Sequence, residues 1–246
     1  MPVFFVPPQD IVPPTASITH DLLVHLRDSL RVTSGHTIWI NDGQGTKYRT
    51  EITDVSKHTI TGRILETILE PPRRTPRLIL GQSLLKGEKM DWVIQKSTEL
   101  GVDEFVPIES RHSVVHLKAD RVNHQLTRWR RIALESAQQS EQWHVPIIAS
   151  PRSLASLTAG HGADRLILML AERQNGHSLQ TVELPQDVRH SVLILTGPEG
   201  GWSQEEVSTA LQAGVQPITL GPSILRAETA ALASISILQS RLGMLG

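Results

Sequence analysis

Cysteine is absent from the 246-residue chain. That excludes disulfides, thiolate nucleophiles and cysteine-ligated zinc together, and it suits a reducing cytoplasm, the expected location. The 11 histidines form no ligand pattern. There is no H-E-x-x-H and no histidine paired with a carboxylate at helical spacing, so no metal is expected. No apolar run approaches the roughly 18 residues that signal a membrane span, and Met1-Pro2-Val3 begins neither a signal peptide nor an anchor. A dinucleotide fingerprint opening a helix is lacking, and so is a P-loop. No excess charge of either sign exists, the net value being −1. Its distribution is uneven, however. Residues 1–72 carry 6 basic and 8 acidic side chains, 73–131 carry 12 and 7, and 132–246 carry 6 and 10. A basic middle between acidic ends fits a local phosphate-binding face, and also a chance fluctuation of surface charge.

The length allows one large domain or two small ones. The clearest linker is Glu70-Pro71-Pro72-Arg73-Arg74-Thr75-Pro76, whose prolines can continue neither a helix nor a central strand. A boundary there gives domains of residues 1–72 and 73–246. The first is strand-rich. Residues 3–6 read as a strand and 20–30 as a short helix. Residues 37–40 and 47–52 read as a hairpin around Asn41-Asp42-Gly43-Gln44-Gly45. With 59–64 continuing the alternation, a small closed or half-closed β-barrel is the economical arrangement. Beyond the linker, strands at 77–82, 102–108 and 165–170 alternate with helices, which indicates an α/β domain with a largely parallel sheet. One helix sets Val93, Ile94, Ser97 and Leu100 on one face and stops at Gly101. A long helix over 120–139 carries Arg121 and Arg128, seven apart and on nearly the same face. A solvated surface and a phosphate contact both fit that spacing.

The last third contains two stretches of one form, LILTGPEGGWSQEE (193–206) and ITLGPSILRAETA (218–230). In each, a buried strand ends in glycine and proline, and a helix begins a few residues later. Gly197, Gly200 and Gly201 leave bare backbone for a ligand to lie against. Ser203 and Glu206 form an S-x-x-E capping box, and Gly214 is placed to end that helix. The second stretch leads into an apolar helix over 230–242. Two adjacent strand ends opening into such loops make one ligand crevice at the carboxyl edge of a sheet. Ordinary strand-to-helix turns would have the same sequence form.

GPEGG together with LGPSILRAETA resembles the SPOUT superfamily of methyltransferases. KGEKMDWVIQKSTELGV (86–102) extends the resemblance over nearly the whole chain and narrows it to the RsmE family, which methylates N3 of a uridine in small-subunit (16S) ribosomal RNA. The resemblance implies an N-terminal PUA-like RNA-binding barrel, with His25-Leu26 and Leu30-Arg31-Val32 matching the family, and a SPOUT domain threaded into a trefoil knot. It implies S-adenosylmethionine as cofactor, bound by Thr196, Gly197, Pro198, Glu199 and Gly200 of the first loop. The second loop would add Leu220, Gly221, Ser223, Ile224, Leu225 and Arg226, then Thr229 and Ala230. Leu170, Ala171 and Glu172 would form the third wall. The RNA side would be Arg31, Arg73, Arg74, Lys86, Lys89, Arg111, Arg121 and Arg128. A homodimer on the knotted domain is also implied. The last helix supports that reading: it is apolar around most of its circumference, and a helix of that kind must be buried on nearly all sides.

Three positions depart from the family. Ser223 stands where an arginine is usual, Ser110-Arg111-His112 replaces Ser-Glu-Arg, and Glu141-Gln142 follows Gln139-Ser140 where an arginine is common. Each change removes or moves a positive charge on the RNA side, while the cofactor loops are intact. Methylating uridine N3 requires that its proton be lost or the resulting anion be stabilised. Arg226, always charged and presenting a rigid fork of donors, suits the second task. Glu199 and Glu228 are candidates for the first, and both also fit structural roles. Two other readings use the same features: a SPOUT ribose 2′-O-methyltransferase, and a non-catalytic RNA-binding protein that keeps the fold.

Overall fold

The computed structural model describes residues 3–171 and 176–245. The chain divides into two units, Met1–Pro72 with Leu134–Val145, and Arg73–Ala133 with Pro146–Gly246.

The first unit contains β1 (Val3–Phe5), β2 (Ile11–Val12), β3 (Thr15–Ile18), α1 (His20–Val24, prolonged by a wider turn over His25–Ser29), β4 (Thr37–Asn41), β5 (Thr46–Val55) and β6 (Ile60–Leu69). The strands form one sheet in the order β1-β4-β5-β6-β3-β2. Only the β1–β4 pair is parallel. No pairing among the described residues joins β2 to β1, so the sheet is open at its two ends. Alternating side chains supply the core, with Ile38, Ile40, Ile52 and Ile60 packed on Phe4, Ile18 and Leu26. The β4–β5 turn is held by its own side chains. Asn41 Oδ1 accepts from Gly43 N at 2.7 Å, and Asp42 Oδ1 accepts from Gln44 N at 2.7 Å and Thr46 N at 3.0 Å. The same hairpin grips the 134–145 segment. Lys47 Nζ lies 3.9 Å above the Trp143 ring and donates to Glu141 O, while Asn41 Nδ2 donates to Gln142 O and Trp143 O. Burial there lowers the Lys47 pKa.

The second unit contains β7 (Arg77–Ser83), α2 (Lys89–Glu99), β8 (Glu104–Glu109), α3 (Ala119–Gln139, whose last turns belong to the first unit), β9 (Ile147–Ile148), β10 (Arg152–Ser153), α4 (Leu154–Thr158), β11 (Arg165–Leu170), β12 (His177–Ser178), β13 (Ser191–Thr196), α5 (Gln204–Gln212), β14 (Gln216–Thr219) and α6 (Ala227–Arg241). Every pairing in its sheet is parallel, in the order β10-β8-β7-β13-β11-β14-β12, with β9 added beside β8. Parallel strands buried on both faces read as continuous apolar runs, which is why Val192 to Leu195 are all fully buried. Leu193 and Leu195 face a core with Leu154, Leu157, Val207 and Ala210 of α4 and α5. The opposite face is covered by α6, which packs on β7, β13 and α2.

Two details differ from the sequence reading of the last helix. It starts at Ala227 rather than 230, because Arg226 is extended (φ −63°, ψ 151°) and acts as N-cap, with Glu228 in the first turn. Polar side chains also enter its buried face. Ser234 and Gln239 lie in its buried stripe beside Ile235 and Leu238. Gln239 Nε2 donates to Leu100 O and Gly101 O, which closes the C-terminal end of α2.

Candidate functional site

The carboxyl ends of β7, β13, β11 and β14 lie side by side, and both glycine stretches emerge from that edge. The first, residues 197–203, is fixed from several directions. Beneath it, the fully buried Gln82 of β7 accepts from Thr196 Oγ1 at 2.7 Å and donates to Gly197 O at 3.2 Å. On its flank, Trp202 Nε1 donates to Leu170 O at 3.0 Å, and a Cβ added at Gly197 would lie 3.2 Å from that indole. From β8's far end, His112 Nδ1 approaches Gly201 O at 3.1 Å. The capping box forms as read, Ser203 Oγ accepting from Glu206 N and Glu206 Oε2 accepting from Ser203 N. Finally, Glu199 Oε1 accepts from Lys86 N and Lys89 Nζ, each at 3.3 Å. Burial pushes the Glu199 carboxyl up, but backbone N–H groups of Glu199 and Lys86 and the Lys89 ammonium outweigh it and hold the pKa below 4.5.

The second stretch, residues 220–226, has little of this support. Thr219 Oγ1 and the backbone of Gly221 bond each other at 3.2 Å, and Ile224 is 72 % exposed. Gly221 has φ +124°, with no atom within 4 Å of where a Cβ would be. Gly201, at φ +70°, is equally open. Exposed backbone at both glycines, beside an apolar side chain in solvent, leaves an edge that a flat, partly apolar ligand could cover.

The candidate residues separate on this geometry. Thr196 is buried and its hydroxyl is spent on Gln82. Pro198 and Ala171 are buried, Leu170 is half-buried with its carbonyl taken by Trp202, and Glu172 lies outside the described residues. Gly200 does not face open space, because a Cβ there would meet His112 Cβ at 3.0 Å. Ser223, Ile224, Arg226 and Thr229 are exposed, and Leu220, Leu225 and Ala230 partly so. Glu228 is paired not with Arg226 but with Lys89, at 3.4 Å. Of the basic residues, Arg73 is held by both oxygens of Asp103, Arg128 by Asp91, and Arg111 by Glu205. Arg31, Arg74, Lys86 and Arg121 are exposed, and among the described residues their side chains have no ionic partner. Gln82, Trp202 and His112 were missed. Trp202 sat inside the glycine motif, whereas the other two carry no local signal. Among the described residues, no group of histidine and carboxylate side chains could hold a metal ion, and no helix is long and apolar enough to cross a membrane.

Residues 72–239 match the family model of the RNA methyltransferase domain, and residues 21–65 match that of the RNA methyltransferase PUA domain. Ribosomal RNA small subunit methyltransferase E of Synechocystis is 33% identical, over 95% of this chain and 76% of that one. Its namesake in Bacillus subtilis is 31% identical, over 91% and 89%. A crystal structure of the Neisseria gonorrhoeae protein of that name, bound to S-adenosyl methionine, superposes with a TM-score of 0.87 at 29% identity, covering 98% of each chain.

Proposed function

Because the chain belongs to the RNA methyltransferase family, we propose that it transfers a methyl group from S-adenosylmethionine to N3 of a uridine in small-subunit ribosomal RNA. The observation that carries this reading is the edge of parallel strands with one braced and one open glycine loop, a setting that fits the cofactor. Gly201, Gly221, Ile224 and Leu225 would line it, the glycines by letting it approach closely and the other two by apolar contact. The cofactor supplies an electrophilic methyl group, so the protein's task is to position the base and manage its proton.

Glu199 is poorly suited to take that proton. Its pKa is lowered and its oxygen is engaged by the loop, whereas an effective base titrates near the working pH. Glu228 is 14 % exposed and turned to Lys89. Arg226 is exposed at the end of the open loop. The proposed role for its guanidinium is to offset negative charge on a uracil oxygen as N3 gives its proton to solvent water before taking the methyl group. RNA phosphates are assigned to Arg31, Arg74, Lys86 and Arg121, the candidates from the sequence whose charges no carboxylate takes up among the described residues. Residues 1–72 would serve as the RNA-binding domain and 73–246 as the catalytic domain with its C-terminal knot, in a protein of the reducing cytoplasm.

A homodimer through α6 belongs to the same proposal. Ile235 and Leu238 are fully buried within the protomer, so the contact would be made by the half-exposed Leu232, Ala233 and Ile237. Ile237→Asp is expected to yield a folded monomer by sedimentation, and an unchanged dimer would remove α6 from the interface. The function itself is tested by incubating purified protein with S-adenosylmethionine and small ribosomal subunits, then analysing nucleosides by mass spectrometry. N3-methyluridine is the expected product. A ribose 2′-O-methylated nucleoside, or no product at all, would contradict it.

A further inference from the structure

Lys89 sits where three segments distant in sequence converge. It is the first residue of α2, and its Nζ lies 3.3 Å from Glu199 Oε1 in the glycine loop and 3.4 Å from Glu228 Oε2 in the first turn of α6. Glu228 Oε2 is buried and accepts no hydrogen bond among the described residues, the Lys89 contact being ionic only. The Lys89 ammonium is therefore what balances that oxygen, and a carboxylate left there without a counter-charge would be costly. The open loop ends at the N-cap of α6, so fixing Glu228 fixes where that loop ends. Fixing Glu199 does the same for the other loop.

We propose that Lys89 is a positioning residue of the cofactor site, setting the spacing between the two glycine loops, and not a phosphate ligand for RNA. One lysine flanked by two glutamates leaves this cluster with a net charge of −1, which repels phosphate. Lys86 contrasts with it. Its backbone N–H braces Glu199, while its side chain remains exposed for an anion.

The inference rests on the proposed cofactor, so binding of S-adenosylmethionine is measured by calorimetry for the parent, Lys89→Met, Lys89→Arg, Glu228→Gln and the Met/Gln double variant. Lys89→Met is expected to weaken binding roughly tenfold, between the small effect of an exposed ion pair and the larger loss when a buried one is broken. Arginine should restore most of it. The double variant should lose less than the sum of the singles, since both act on one contact. RNA binding by Lys89→Met without cofactor should keep the parent's slope of log affinity against log salt. Unchanged cofactor affinity with a shallower salt slope would overturn the proposal and make Lys89 a phosphate ligand. A parent that binds no cofactor would instead overturn the proposed function. Amide exchange at residues 197–203 would then decide the junction: faster exchange in Lys89→Met supports it, and unchanged exchange overturns it.

Discussion

The two glycine loops look alike in sequence and are built differently. Residues 197–203 are held by Gln82, Lys86, Lys89, His112 and Trp202, which reach them from β7, the start of α2, the end of β8 and the loop itself. Residues 220–226 keep a local threonine–glycine bond and an isoleucine in solvent. One loop is pre-organised before any ligand arrives, which reduces the ordering cost of binding. On the proposed function, the other would gain its contacts from the ligand. Rigidity on one side and freedom on the other would let a cofactor enter and then be closed upon.

The largest expected effect comes from removing a brace of the first loop that also belongs to the core. Trp202→Ala should cost about 3 kcal/mol, the low end for a large ring because this one is only partly buried, and should abolish cofactor binding. Denaturant unfolding with a cofactor titration checks both. Gln82→Leu should follow at about 1–3 kcal/mol, since it strands the Gly197 carbonyl and leaves the Thr196 hydroxyl only its longer bond to Gly81 O at 3.3 Å. A neutral result would mean that water or a shift of β7 replaces those bonds.

These braces explain what the sequence did and did not disclose. Strand ends, the Ser203–Glu206 box and the parallel sheet were legible because each follows from local period and turn chemistry. The bracing was not, because Gln82 and Gly197 are joined only once β7 and β13 pair in the folded sheet. For the same reason Arg73 and Arg128 read as candidates for phosphate, although Asp103 and Asp91 take up their charges. Nor was the burial of Gln239 in α6 legible, because its hydrogen bonds to the end of α2 have no local signature.

Smaller effects sharpen the contrast. Glu199→Gln should cost on the order of 1 kcal/mol, given its partial exposure. The Glu199 pKa is depressed in the folded protein, so its contribution is present above the ordinary 4.5 and is lost as pH falls through the folded-state value. Thermal melts of parent and variant should therefore differ at neutral pH and converge on acidification below 4.5. A gap that widens instead would show that the carboxylate is not stabilised by its loop. Ile224→Ala, in the open loop, should change stability by less than about 0.5 kcal/mol while weakening cofactor binding. Equal loss of both would mean that Ile224 already packs in the free protein.

The division of labour between the loops is tested most directly by amide hydrogen exchange with and without S-adenosylmethionine. Residues 197–203 are expected to be protected before the cofactor is added and to change little, whereas 220–226 exchange fast and become protected on binding. Two loops equally unprotected in the free protein, or a response confined to the first, would contradict it.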